Sequence, residues 1–204
     1  MLDDAGYPDA QIMASNSLDE YTIRTILHQG AKLDSFGVGE RLITSKSSPV
    51  FGGVYKLVAT VNDDGKIIPK IKISENVAKI TTPGFKELYR FYENETGKAM
   101  ADVIALRDEE IPEDNYEIFH PVYTWKRKTL NNYTAKKVLV QIYDKGKLVY
   151  KLPSLEEIKE KAERELDTLW EETKRLDNPN EYIVDLSEKL WEVKDQLLKK
   201  HGKN

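Results

Sequence analysis

The sequence predicts a chain of class α/β plus α+β: a parallel βαβα stretch first, an antiparallel β region next, helices last. Three observations carry this. Apolar runs near the N-terminus alternate with a helical pattern and end in glycine turns. Between residues 54 and 150, β-branched and aromatic runs are separated by short Asn/Asp/Gly and Lys-Gly turns, as in hairpins. From Ser154 onward the apolar residues recur with helical spacing.

In chain order, Met1-Leu2-Asp3-Asp4-Ala5-Gly6 reads as the last turn of a helix closed by glycine, so the chain is expected to begin inside a larger protein. Gln11-Ile12-Met13-Ala14 follows a Pro-Asp turn and reads as a buried strand ending at Ser15-Asn16-Ser17. Ser17 is the expected N-cap of the next helix, with Glu20 at the capping-box position and a stop at Gly30. Lys32-Leu33-Asp34-Ser35-Phe36 is a second strand entering Gly37-Val38-Gly39, and Glu40-Arg41-Leu42-Ile43 is a short helix. Strands are expected at 54–61 and 70–74, with a hairpin at Asn62-Asp63-Asp64-Gly65. Further hairpins join 88–92 to 99–106 and 138–143 to 148–150. Ser154 caps a helix carrying Leu155, Ile158, Ala162, Leu166, Leu169 and Trp170, broken at Asn178-Pro179-Asn180. Leu186, Leu190, Val193 and Leu197 belong to a last helix. The expected domains are 1–48, 49–153 and 154–204.

The 204 residues, 40% hydrophobic and 32% charged, have room for one large or two small domains. The net charge of −4 argues against a general nucleic-acid binder. The absence of cysteine excludes disulfides and thiolate metal sites. No apolar run reaches the roughly 18 residues a membrane-spanning helix needs. With an acidic start and no signal pattern, a cytoplasmic protein without a membrane partner is expected.

The segment richest in chemistry is Asp34-Ser35-Phe36-Gly37-Val38-Gly39-Glu40-Arg41-Leu42. Glycines at 37 and 39 allow positive φ and close approach of a ligand to the backbone. The helix after them starts with unpaired N–H groups and the positive end of its dipole, which suits a phosphate. In (β/α)₈ barrels the loops after the last two strands commonly form such a site. Ser15 and Asn16, at the other strand end, would stand beside it.

Three ordered blocks resemble nicotinate phosphoribosyltransferases: Ala14-Ser15-Asn16-Ser17-Leu18-Asp19-Glu20, Gly30 to Gly39, and Pro49-Val50-Phe51-Gly52-Gly53-Val54-Tyr55-Lys56-Leu57. Lys70 to Asn76 and Thr82-Pro83-Gly84 fit as well. The resemblance is continuous to about residue 110 and looser beyond. It implies the end of an irregular α/β barrel, followed by an antiparallel β domain and C-terminal helices. It implies an enzyme of NAD biosynthesis that makes nicotinate mononucleotide from nicotinate and phosphoribosyl pyrophosphate, with ATP hydrolysis through a phosphorylated histidine and with Mg²⁺ on the pyrophosphate. By the same resemblance, Gly37, Val38 and Gly39 hold the 5-phosphate, Ser15 and Asn16 face the phosphoribosyl group, and Lys56 supplies a cation near the phosphates. Glu40 stands where many members have Thr.

The family's catalytic histidine, its nicotinate-binding arginine and an Arg-x-Asp-Ser-Gly-Asp block lie upstream of the matched region. The chain alone is therefore expected to lack transferase activity. It is also expected to be unstable alone, or to assemble with itself or with a complementary N-terminal half. Two other readings stay open: a transferase for nicotinamide or quinolinate, and a non-catalytic phosphate-binding or assembly module.

Other tempting residues have plainer explanations. His28 suits a helix C-terminus. His120 and the run Lys126-Arg127-Lys128 read as surface, Trp170 and Trp191 as packing anchors, and Asp63-Asp64-Gly65 as a hairpin rather than a metal loop.

Overall fold

A computed structural model describes residues 2–123 and 125–202. Met1 of the expected opening turn, and residues 203 and 204 at the end of the helical region, lie outside the described residues. The chain forms two compact units, Met1–Val54 and Tyr55–Asn204.

The first unit follows the βαβα grammar. Its strands are β1 (Met13–Ser15) and β2 (Ser35–Gly37); its helices are α1 (Glu20–His28) and α2 (Glu40–Ile43). The strands run parallel, with Met13 opposite Ser35 and Ser15 opposite Gly37. Gly6 and Gly30 both close turns in the left-handed region. At each, paired bonds run back to the preceding carbonyls, Tyr7 N–H to Leu2 and Ala31 N–H to Ile26.

Two expectations for this unit are corrected. The N-cap of α1 is Asp19, whose carboxylate accepts the Thr22 N–H at 2.8 Å. Ser17 cannot fill that role, because it sits in the left-handed region with φ 52°, where a cap is extended. Nor is the first strand buried: Ile12 and Met13 are 54% and 67% exposed. A two-stranded parallel sheet with one crossover helix has too little neighbouring surface to cover both faces. Among the described residues of this unit, Leu18 alone is buried.

The second unit opens with the antiparallel hairpin β3 (Ala59–Val61) and β4 (Ile67–Pro69). The turn is held by the Asn62 side chain, which accepts the Lys66 N–H at 2.7 Å. A six-stranded sheet follows, in the order β8-β7-β12-β6-β5-β9. Its members are β5 (Lys86–Glu93), β6 (Ala99–Leu106), β7 (Tyr116–Phe119), β8 (Arg127–Leu130), β9 (Tyr133–Lys137) and β12 (Val184–Ser187). The small hairpin β10 (Tyr143–Asp144) and β11 (Lys147–Leu148) stands apart from this sheet. The helices are α3 (Leu155–Asp167), α4 (Glu171–Lys174) and α5 (Glu188–His201).

The connection between β8 and β9 forces this sheet to curl. The two strands lie at opposite edges, yet only residues 131 and 132 join them. Three Cα steps span at most about 11 Å. A flat sheet would hold edges five strand spacings apart, roughly 24 Å. The sheet therefore wraps into a half-barrel. Its concave face is filled by Phe91, Val103, Ile118, Leu130 and the aromatic rings around them. Phe91 stacks on Tyr116 at 5.5 Å and meets Tyr133 edge-on at 4.7 Å. Each such pair contributes about 1 kcal/mol beyond area burial.

Helix α5 packs against β6, β7 and β12. Leu190 is fully buried, and Trp191 stacks on Phe119 at 5.5 Å, the packing role expected of it. Ser187 joins sheet to helix. Its hydroxyl caps α5 by accepting the Leu190 N–H, and donates to the buried Glu109 carboxylate at 2.7 Å. Tyr116 donates to the other oxygen of Glu109. Gly84, at φ 95°, closes this region: a Cβ there would stand 3.0 Å from Leu106 Cδ2.

The expectation of an antiparallel domain followed by separate helices is corrected by β12. It pairs parallel with β6 and antiparallel with β7, so the sheet is mixed and its third strand comes from the C-terminal stretch. Leu186, expected in the last helix, is a core residue of that strand. The helix from Ser154 ends at Asp167 rather than at residue 178. Lys98 donates to the carbonyls of Asp167 and Leu169, and Ala99 N–H to that of Thr168, which holds the helix end at the β5–β6 turn. Residues 70–74 form no strand, because Lys72 bonds Thr81 through both its N–H and its carbonyl. Strand structure in the 138–150 region is limited to two residues a side.

Candidate functional site

The parallel pair brings Ser15 opposite Gly37 at the carboxyl ends of both strands. The Ser15 hydroxyl donates to the Gly37 carbonyl at 3.3 Å. A Cβ on Gly37 would stand 3.1 Å from Ser15 Oγ, so glycine lets these strand ends approach. Asp34 fastens the base of the pair: its N–H bonds the Ile12 carbonyl, and its carboxylate accepts the Ile12 N–H at 2.7 Å. Beyond Ser15 the chain turns sharply through Asn16 and Ser17, with φ values of 89° and 52°.

Gly37-Val38-Gly39 leads into α2 at the same end. The expected positive φ at Gly37 and Gly39 is not found; the left-handed residues are Asn16 and Ser17 across from them. The turn is made by the strand-to-helix reversal itself. Gly39 is the N-cap of α2, with no side-chain cap, and a Cβ there would meet nothing within 4 Å. The first-turn N–H groups of a helix lack intrahelical acceptors, so this corner presents backbone donors to open space. An ion pair between Arg41 and Asp19 ties α2 to the cap of α1. The Thr22 hydrogen bonds and Arg41 hold the Asp19 carboxyl below its ordinary range. Lys56 belongs to the second unit, where it is exposed and in no regular element.

The donor set of this corner suits an anion rather than a metal. It offers hydroxyl, amide and backbone N–H groups; the neighbouring carboxylates of Asp19 and Asp34 are already engaged, and that of Glu40, first in α2, is exposed and pairs with Lys46 at 3.5 Å. Among the described residues no three His, Asp or Glu side chains converge as metal ligands.

A second group of polar residues meets in the second unit, and sequence reading missed it. A cavity of about 500 Å³ is lined by His120, Lys126, Lys128, Tyr182 and Asp185, with Glu181 also on its wall. His120 and the basic run were read as surface, and Lys126, Arg127 and Lys128 are indeed exposed; what that reading did not give is that they also line this cavity. Asp185 carried no sequence signal, because the basic residues that line the cavity with it, His120 and Lys128, come from 57 to 65 residues away.

The first-unit geometry defines a class: an α/β protein with an anion-type turn at the carboxyl ends of parallel strands. Residues 85–194 match the nicotinate phosphoribosyltransferase C-terminal domain. The nicotinate phosphoribosyltransferase of Bacillus subtilis (strain 168) is 45% identical over 199 residues, covering 97% of this chain and 40% of that protein. The enzyme of Caenorhabditis elegans is 38% identical, over 89% of this chain and 32% of its own. The crystal structure of human nicotinic acid phosphoribosyltransferase superposes with a TM-score of 0.67 at 26% identity, over 93% of this chain and 33% of that one. The chain belongs to the nicotinate phosphoribosyltransferase family, with its match to the C-terminal part. It spans less than half the length of these relatives. Among the described residues no helix is long and apolar enough to cross a membrane.

Proposed function

We propose that this chain carries the phosphate-cradling part of an enzyme that joins nicotinate to phosphoribosyl pyrophosphate and releases pyrophosphate, giving nicotinate mononucleotide. The observation that carries the reading is the Ser15–Gly37 register, which sets a hydroxyl and an open Gly39 corner side by side in a chain of this family.

The chemistry fits the parts. Displacement at an anomeric carbon builds positive charge on the sugar and negative charge on the leaving group, so positioning and electrostatics supply most of the rate. A clamp on the remote 5-phosphate uses binding energy to align the reacting carbon. In this reading Gly37, Val38 and Gly39 offer backbone N–H groups to the 5-phosphate. Ser15 and Asn16 face the phosphoribosyl group, and Lys56 acts as a cation toward the phosphates. ATP is the coupled cosubstrate, and Mg²⁺ arrives on the pyrophosphate, since the corner's own residues do not make a metal site. The family's upstream histidine and arginine belong to the complete reaction, so the 204-residue chain is read as binding phosphoribosyl pyrophosphate without turning it over.

Calorimetric titration of the chain with phosphoribosyl pyrophosphate and Mg²⁺ tests this. Binding that Gly39→Val abolishes, while far-UV circular dichroism stays unchanged, is the expected result. Equal binding by the folded variant would sink the assignment of the corner as the cradle.

A further inference from the structure

The cavity around Asp185 has a geometry that points to a ligand of its own. Strand pairing fixes which way its walls face. Asp185 lies beside Val103, and Lys128 lies opposite Ile118, both concave core residues. Residues side by side in a sheet share a face, so Asp185 and Lys128 both belong to the concave side of the half-barrel. Asp185 is 7% exposed. Among the described residues nothing donates a hydrogen bond to it or pairs with it in a salt bridge; His120 and Lys128 act on it only as charges at a distance. Its oxygens reach the solvent of the cavity, since no fully buried side-chain oxygen among the described residues lacks a partner, while partial burial pushes the carboxyl above its ordinary range.

The opposite wall is basic. Lys128 has no carboxylate within ion-pair distance among the described residues, and Lys126 rests over the Tyr123 ring at 5.0 Å. His120 is fixed by two backbone donors: its Nδ1 accepts the N–H groups of Val122 and Tyr123. That leaves its Nε2 as the proton-bearing nitrogen of the neutral ring. A carboxylate that no protein group pairs and whose oxygens reach solvent, exposed lysines with no carboxylate of their own, and a space of about 500 Å³ between them describe a ligand with both kinds of group.

We propose that this cavity binds a purine nucleotide, with the base donating N–H bonds to the Asp185 carboxylate and the phosphate meeting Lys126 and Lys128. The volume lies within the range of small-molecule sites. Amino acids are too small to fill it. Guanine fits the carboxylate best, since its ring N–H and exocyclic amine meet both oxygens at once, as a carboxylate accepts bidentate donors. Adenine offers one donor edge beside an acceptor and leaves one oxygen unpaired. Glu181 sets the phosphate on the lysine side of the cavity.

The test is calorimetric titration of the full chain with guanosine monophosphate, against adenosine monophosphate and ribose 5-phosphate. The variants are Asp185→Asn, Lys128→Ala and Gly39→Val. Guanosine monophosphate is expected to bind most tightly. Asp185→Asn is expected to weaken it at least about tenfold, the size of a lost bond to a charged group. Lys128→Ala, at an exposed edge-strand position, is expected to weaken it several-fold and flatten its salt dependence; Gly39→Val leaves it unchanged. Absence of guanosine monophosphate binding by the unsubstituted chain overturns the proposal. So does binding that ribose 5-phosphate equals, or that Gly39→Val removes while a folded Asp185→Asn keeps it. The last outcome would place the nucleotide at the Gly37–Gly39 corner, so the two sites fail separately.

Discussion

Removing the Asp102 carboxylate should destabilise the second unit more than any surface change. Asp102 is 7% exposed on β6 and accepts two parallel bonds from Arg90 on β5, at 2.8 and 2.9 Å. Tyr182 donates a third at 2.9 Å. The remaining Arg90 nitrogen reaches Glu165 on α3 at 2.9 Å. The β5–β6 hairpin, α3 and the segment at Tyr182 are thus joined through the Arg90–Asp102 pair. The pairing holds Arg90 firmly protonated, and burial holds the Tyr182 hydroxyl un-ionised well past its ordinary range. In Asp102→Ala the guanidinium keeps its position but loses its bidentate partner, and Tyr182 loses its acceptor. Breaking a largely buried pair from one side costs about 3 kcal/mol. With a urea dependence of about 2 kcal/mol per molar, the midpoint falls by about 1.5 M. Urea titration of the full chain, followed by tryptophan fluorescence, reads this directly. Because the cost is the stranded charge, the double variant Arg90→Leu with Asp102→Leu should recover much of the loss. A midpoint shift under about 0.5 M for Asp102→Ala, or a double variant that simply adds two losses, would refute the reasoning.

Two further outcomes follow from named contacts. Ser154 and Glu157 form a reciprocal capping box on α3, so Ser154→Ala should cost about 1 kcal/mol, read as a lower urea midpoint; no shift would show that α3 contributes nothing to the cooperative unit. Burial raises the Asp185 carboxyl above its ordinary value. The folded chain then holds this proton more tightly than the unfolded one, and stability falls as pH rises from the ordinary carboxyl value through the raised one. Asp185→Asn should therefore be more stable than the unsubstituted chain at pH 7 and equal to it at low pH, in paired thermal melts across that range. A variant less stable at neutral pH would contradict the unpaired-carboxylate reading.

What the sequence alone determined was local. The βαβα order, the Gly30 stop, the Ser154 cap and the turns at 62–65 and 94–97 all rest on interactions within a few residues, and the structure contains each of them. The candidate cradle was legible for the same reason: Ser15 and Gly37 each end an element, and parallel βα units place such ends together. Tertiary structure decided the rest. Leu186 fits a helical spacing with Leu190 and Val193, yet pairing with β6 and β7 makes it strand. The stop of α3 at Asp167 depends on Lys98, 69 residues away. The curl of the sheet, and with it the cavity that gathers His120, Lys128 and Asp185, depends on β8 and β9 being neighbours in sequence at opposite sheet edges. Local patterns encode short-range bonds; loop closure and strand pairing over long separations leave no periodic trace, so only the folded chain shows them.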